Sequence, residues 1–483
     1  MSARCLPALA ALALALAGAA PAAADTFAYV SNNNGAIMRY EVGASGALSP
    51  LKPAVGRAAA SLVASPNGHS VYAGVRGAID QFDVEADGRL SAKTPASVGT
   101  PAIVAAAMAM SPDGRYLYAS INGPAPALVA YSIAWDGTLS ATPTATTALP
   151  AASYGVVVSP DGDSVYVRSF AVVAQFDVRP GGALAPKSPP TVPAAATGRA
   201  LAISHDGKSV YAASDDTVLQ YDVGPTGALV PKNPAAVASG GEGGSWPAMS
   251  RDDQNVYVTS EASDTVSQFR VGPGAALFPL QPLVIGAGGD PRAIALSPDG
   301  AHLYTANSAD NSVSMFAAGG AGGLSALRPS TVPAGAAPSA IVVVDRPTAG
   351  NDTLHGSAAA NVICGHGGHD VIHGHAGDDT LYGDACGAPT AAASAKRPGG
   401  GGGRDRLLGG HGDDRLFGGP GADYLHGGPG RDVIRGSAGD DTIDARDGRR
   451  DVIFCGNGRD TVRADRRDRI AGCEHRRLGR PGR

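Results

Sequence analysis

Residues 400–444 read GGGGRDRLL, GGHGDDRLF, GGPGADYLH, GGPGRDVIR and GSAGDDTID, five nonapeptides in unbroken succession. Each has Gly at places one and four, Asp at place six and Leu or Ile at place eight. A triplet with one apolar residue at its centre suits a very short strand that turns this side chain inward. The Gly-rich six residues before it suit a tight turn, because Gly accepts positive φ cheaply. Such a turn exposes backbone carbonyls, and one Asp per turn adds a hard anionic oxygen. Oxygens of these two kinds are what Ca²⁺ gathers, about six to eight at a time.

Fainter copies flank the five, at residues 350–355, 356–364, 365–373 and 374–382 upstream and 455–463 downstream. Across all of them the inward place reads Leu354, Ile363, Ile372, Leu381, Leu407, Leu416, Leu425, Ile434, Ile443 and Val462. No polar residue breaks that row, and a Gly/Asp-rich flexible tail has no reason to keep it. The acidic place reads Asp352, Asp370, Asp379, Asp405, Asp414, Asp423, Asp432, Asp441 and Asp460, with Asn361 the one substitution. The pattern G-G-x-G-x-D-x-U-x resembles the hemolysin-type (RTX) calcium-binding repeat. That resemblance implies a parallel β-roll. It also implies several Ca²⁺ ions, each shared between the aspartate of one turn and carbonyls of its neighbours. These nine aspartates are the candidate metal ligands. A register shift after residue 444 leaves Asp451 and Asp468 off the nonapeptide place, among Arg449, Arg450, Arg466 and Arg467. There, calcium is expected to fade and arginine to neutralise carboxylates instead. Residues 384–399 read as a loop inserted into the roll.

Residues 1–24 combine Arg4, an Ala/Leu run over 6–20 and an Ala22-Ala23-Ala24 cleavage site. This is the layout of a secretory signal peptide, so the chain is expected to be exported and extracellular. No other run of apolar residues is long enough to span a membrane. Cys5 leaves with the leader, and four cysteines remain. An even number in an exported chain suggests two disulfides. Cys455 and Cys473 are 18 residues apart. That is two nonapeptides, one full coil, which stacks them about 4.8 Å apart and within disulfide reach. By elimination, Cys364 pairs with Cys386. No C-x-x-C occurs, which argues against zinc.

Residues 25–347 have another texture. Tyr29, Tyr72, Tyr118, Tyr166, Tyr211, Tyr257 and Tyr304 recur at intervals of 43, 46, 48, 45, 46 and 47. From Tyr72 on, each Tyr strand follows a turn of the SPDG type, as at 111–114, 159–162 and 297–300, and each precedes a strand ending on an aromatic such as Phe82 or Tyr131. A period in the forties with several strands per unit predicts a β-propeller. The first unit lacks the strand that precedes SPDG elsewhere, and residues 339–344 supply a match, so the last strand should close the first blade. Closure removes two open sheet edges. These units, exemplified by AIALSPDGAHLYTANSADNSVSMF, resemble lactonase-like seven-bladed propellers. The expected architecture is therefore all-β: a propeller over 25–347 and a calcium-binding roll over 348–483.

Catalytic motifs are harder to find. His69, His205 and His302 lie in or beside SPDG turns and read as solvated turn residues. Arg168, Glu242, Glu261 and Arg292 are charged candidates for the channel, each isolated in sequence, and residues 239–246 (SGGEGGSW) form one unusual loop that reads as a connector. No nucleophile elbow, HExxH or P-loop occurs. The reading that follows is a secreted calcium-binding protein whose propeller offers an interaction scaffold to a protein or glycan. The alternative is a lactonase-like hydrolase with a calcium-binding roll attached. A formal net charge of -5 gives no case for nucleic acid.

Overall fold

The computed structural model describes residues 25–33, 35–85, 87–134, 136–195, 198–319, 322–346, 353–355, 362–364, 371–376, 380–383 and 404–479. The expected leader, Asp352, Asp370, Asp379, Cys386 and the expected insertion at 384–399 lie outside them. The described residues are strands joined by turns, with two three-residue 3-10 turns at Pro180–Gly182 and Pro273–Ala275. No helix among them is long and apolar enough to cross a membrane.

The propeller has seven blades. Five are separate four-stranded antiparallel sheets. The second and third are fused in one six-stranded sheet, because the strands Ser70–Val84 and Leu90–Met110 run on through their bends. The first blade is made by Pro338–Arg346, Asp25–Asn32, Ile37–Val42 and Leu48–Val55, in that order. Phe27 faces Val344 and Tyr29 faces Val342 across the closing pair. Apolar cores lie between neighbouring blades. One, for example, joins Tyr40 and Ile341 of the first blade to Tyr304 and Val313 of the seventh.

The recurring tyrosines have a common job. Tyr29, Tyr72, Tyr166 and Tyr257 are buried, and their hydroxyls donate to the carbonyls of Gly88, Gly137, Gly227 and Gly322 in the following blade. Tyr304 donates to Gly46 O at 2.8 Å and ties the seventh blade to the first. Buried glutamines add a two-sided clasp. Gln175 donates to Pro189 O in its own blade and accepts from Leu229 N in the next, and Gln81, Gln220 and Gln268 repeat this. Lys93, Lys187 and Lys232, all buried, each pair with an aspartate and donate to a carbonyl of the following blade. A period in the forties is thus the spacing of one inter-blade clasp to the next.

The C-terminal part is a parallel β-solenoid of two sheets, one of seven strands and one of six. Every coil brings a residue beside its counterpart in the coil before, so Leu407 pairs with Leu425 and Leu416 with Ile434. The inward row is fully buried from Ile372 to Val462. Each such side chain contributes about 1.5–3 kcal/mol when removed from water.

Candidate metal centre

The aspartates of the nonapeptides climb the roll in two ladders. Asp405 N donates to Asp423 Oδ1, Asp423 N to Asp441 Oδ1 and Asp441 N to Asp460 Oδ1, all at 2.9 Å. Opposite, Asp414 N donates to Asp432 Oδ1 at 3.0 Å and Asp432 N to Asp451 Oδ1 at 2.9 Å. All these carboxylates are buried. One oxygen of Asp423, Asp432, Asp441, Asp451 and Asp460 thus fixes the backbone of the preceding coil, which leaves the other for a different use.

That other oxygen is where the site lies. Oδ2 of Asp423, Asp432, Asp441, Asp451 and Asp460 is buried and has no hydrogen-bond partner among the described residues. In Asp423, Asp432 and Asp441 it faces the first Gly of the same repeat, and at Asp423 and Asp441 a carbonyl of the coil above as well. A Cβ on Gly409 would sit 2.4 Å from both Asp414 Oδ2 and Gly427 O, and one on Gly436 2.3 Å from Asp441 Oδ2 and 2.5 Å from Cys455 O. Gly is required there because the space holds oxygens and not carbon. For Asp405 the facing glycine is Gly383, on the near side of the inserted loop.

Burial raises the Asp423, Asp441 and Asp451 carboxyls to about 7 and Asp432 to about 8, and neighbouring aspartates push the same way. A column of desolvated carboxylates attracts either protons or a cation. The donors are hard oxygens throughout, which fits Ca²⁺ and does not fit zinc. Among the described residues no three His, Cys, Asp or Glu side chains converge on one point. Any ion held here takes one or two carboxylates and completes its shell with backbone carbonyls.

Three features of this end were not foreseen. Asp451 is in the ladder, not off place: the strand that follows it pairs with the coil before at a 19-residue step, Ile453 with Ile434, so the turn absorbs the one extra residue. The triplet Asp451-Val452-Ile453 repeats the D-x-U signature and could have shown this. The ladders then end on other acids, Asp451 N donating to Asp468 Oδ1 and Asp460 N to Glu474 Oε2. Arg449, Arg450, Arg466 and Arg467 are exposed and neutralise none of these carboxylates; the ion pair of the region is Arg446 with Asp444, 2.6 Å apart. Cys455 and Cys473 are joined by a disulfide, with Cα atoms 5.1 Å apart.

In the propeller a cleft of about 480 Å³ opens across the fourth to sixth blades. It brings together Arg168 and Glu261 from the charged candidates, plus Arg199 and Asp215. Arg199 pairs with Glu261 at 3.2 Å, and Ser245 Oγ donates to the same carboxylate. Tyr154 and Phe170 stand exposed at its wall, and Phe170 holds a φ of 45°, a region that bulky residues rarely adopt. Gly243, Gly244 and Ser245 of the odd loop line it too. Glu242 is exposed outside the cleft, and Arg292 pairs with Asp290. His205 is half-buried, not fully solvated, its Nδ1 2.9 Å from Asp253 of the next blade's turn.

Comparison with known proteins agrees with both halves. Residues 348–381, 399–425, 417–452 and 426–462 match the RTX calcium-binding nonapeptide repeat. Residues 172–342 match the family described as lactonase, 7-bladed beta-propeller. No curated protein matches the chain. Among solved structures, the periplasmic gluconolactonase of Pseudomonas aeruginosa is 21% identical with a TM-score of 0.58, over 66% of this chain and 99% of its own. A Bacteroides fragilis protein provisionally named a 6-phosphogluconolactonase is 18% identical with a TM-score of 0.57, over 67% and 98%. At such identities the likeness is one of fold.

Proposed function

Starting from a chain that joins RTX calcium-binding repeats to a lactonase-type propeller, we propose a secreted protein whose roll is built on calcium and whose propeller is a rigid scaffold for a partner. The observation that carries the proposal is the register of buried, unpartnered Oδ2 atoms beside glycine carbonyls. Asp405, Asp414, Asp423, Asp432, Asp441 and Asp460 are the carboxylate donors on the described coils. Asp352, Asp370 and Asp379 continue the series on sequence alone. Calcium neutralises the column of charge and fixes Gly-rich turns that otherwise lose much entropy on ordering. The leader and the disulfide suit a compartment that is both oxidising and calcium-rich. Calorimetric titration of the exported full chain with Ca²⁺ tests this, with several ions expected per chain. Equilibrium dialysis that retained no metal at millimolar calcium would overturn it.

A second reading, hydrolysis of a sugar lactone, is favoured by the propeller cleft. Glu261 offers a base and the Arg168–Arg199 pair an anion clamp in one concave site. Turnover of gluconolactone that is abolished in Glu261→Gln supports it; no turnover by the wild-type chain removes it.

A further inference from the structure

The outer face of the six-stranded roll sheet has a composition that calcium binding does not use. Its strands include Thr380–Tyr382, Arg415–Pro420, Val433–Ala438, Val452–Asn457 and Arg469–Ala471. Their register sets Tyr382, Phe417, Arg435, Phe454 and Ala471 in one outward row and Arg415, Val433, Val452 and Arg469 in the other. Neither row contains an acid, although the corners beside them are rich in aspartate. Arg415, Arg435 and Arg469 are exposed and join no ion pair among the described residues.

The rings of this face stand in a stack. Tyr382 and Phe417 lie 4.9 Å apart and 11° from parallel. The Arg435 guanidinium lies 4.8 Å over the Phe454 ring, and Phe454 is 40% exposed. Rings stacked along the roll axis present their edges outward, and ring edges are the positive end of the quadrupole. Arg435, held over the Phe454 ring, keeps N–H donors free to turn outward. Ring edges and guanidinium rims together favour oxygen-rich anions. Tyr382 and Phe417 cover one face of each other and Arg435 covers one face of Phe454, which leaves fewer ring faces for a nucleobase to stack on. An acidic peptide prefers an open sheet edge, and this face has its backbone already paired. Five strands at about 4.8 Å make a flat track near 19 Å long, suited to a stiff linear chain.

We propose that this face binds an acidic polysaccharide, with Arg415, Arg435 and Arg469 meeting its carboxylate or sulfate groups and the ring edges of Tyr382, Phe417 and Phe454 lying against its sugars. The site is distinct from the calcium corners and from the propeller cleft. It exists only while the coils are stacked, so binding follows the folded state of the roll.

The test titrates the full chain, in calcium, with hyaluronan oligosaccharides. Binding is expected to weaken about tenfold in the double variant Arg435→Ala/Phe454→Ala and to fall at high salt. Arg415→Gln/Arg469→Gln, on the other row, reads out the same site should the first pair disturb packing. Circular dichroism and calcium stoichiometry of each variant confirm an intact roll. Absence of hyaluronan binding by a folded roll overturns the proposal. So does equal binding of oligo-dT or polyglutamate, which would make the face a general polyanion surface, and so does binding of neutral dextran.

Discussion

The propeller and the roll bury polar groups under opposite rules. In the propeller a buried Tyr, Gln or Lys finds its partner in the next blade, as Tyr304 finds Gly46 and Gln175 finds Leu229. Orphans there are scattered, for instance the hydroxyls of Tyr118 and Ser209. In the roll the orphans are in register and of one kind, the second carboxylate oxygen of aspartate after aspartate. A buried charge without a partner costs several kcal/mol, so a fold that repeats it leaves room for a counter-charge from outside. One half of the chain satisfies its own polar groups; the other half is finished by its solution.

Calcium removal should break this contrast most visibly. With chelator the roll should lose its β-signal and its melting transition while the propeller keeps both. Ion held at about a thousandfold above Kd stabilises by about 4 kcal/mol per site. Scanning calorimetry that moves both transitions together would mean that the halves are not independent in this sense. Next in size is the double variant Cys455→Ala/Cys473→Ala. It opens a cross-link over 18 residues and should lower roll stability by about 3 kcal/mol, measured by urea unfolding under calcium.

Single rungs sharpen the picture. Asp432→Asn keeps the hydrogen bond to the neighbouring coil but removes a charge, and should cost one ion and raise the calcium midpoint about tenfold, or about 1.4 kcal/mol. Asp460→Asn should matter less, because its repeat begins with Cys455 and not Gly, so carbon takes part of the space where the Gly-led rungs meet oxygen.

Acid should mimic the ion. The folded-state values near 7 for Asp423, Asp441 and Asp451 and near 8 for Asp432 lie above the ordinary carboxylate range. The metal-free roll therefore takes up protons on folding. That stabilisation is complete below about pH 4 and is lost as pH rises through 7 to 8. In chelator, dichroism should show more structure at pH 5 than at pH 8; under calcium the trend reverses, since the ion needs ionised carboxylates. The smallest effect belongs to the propeller: Tyr304→Phe removes the hydroxyl that closes the ring and should cost about 1 kcal/mol in the propeller's unfolding midpoint.

Much of the architecture was legible because both halves repeat. The tyrosine interval and the SPDG turns announce blades, and the match between residues 339–344 and the missing strand announces the closure later seen as Val344 against Phe27. The Asp and Leu columns were legible for the same reason. What failed was strict counting. Asp451 was set aside because it stands one residue late, yet a turn absorbs one residue while the D-x-U triplet keeps its pairing. Arg168 and Glu261 looked isolated, and Arg199 and Asp215 went unnoticed, because they come from three successive blades that meet only once these pack side by side. Periodic sites can be read along a chain, whereas sites made by bringing blades around a circle cannot.

The clasp between Pro338–Arg346 and Asp25–Asn32 sets an order of events. A polypeptide synthesised from its N-terminus presents one half of that pair at the beginning and the other only after some three hundred residues have followed. Until then the opening strand has an unpaired flank exposed to its surroundings, and the circle stays open. Maturation of the propeller is therefore a single late event, and any nick or premature stop before residue 338 should yield not a smaller ring but an arc with sticky ends.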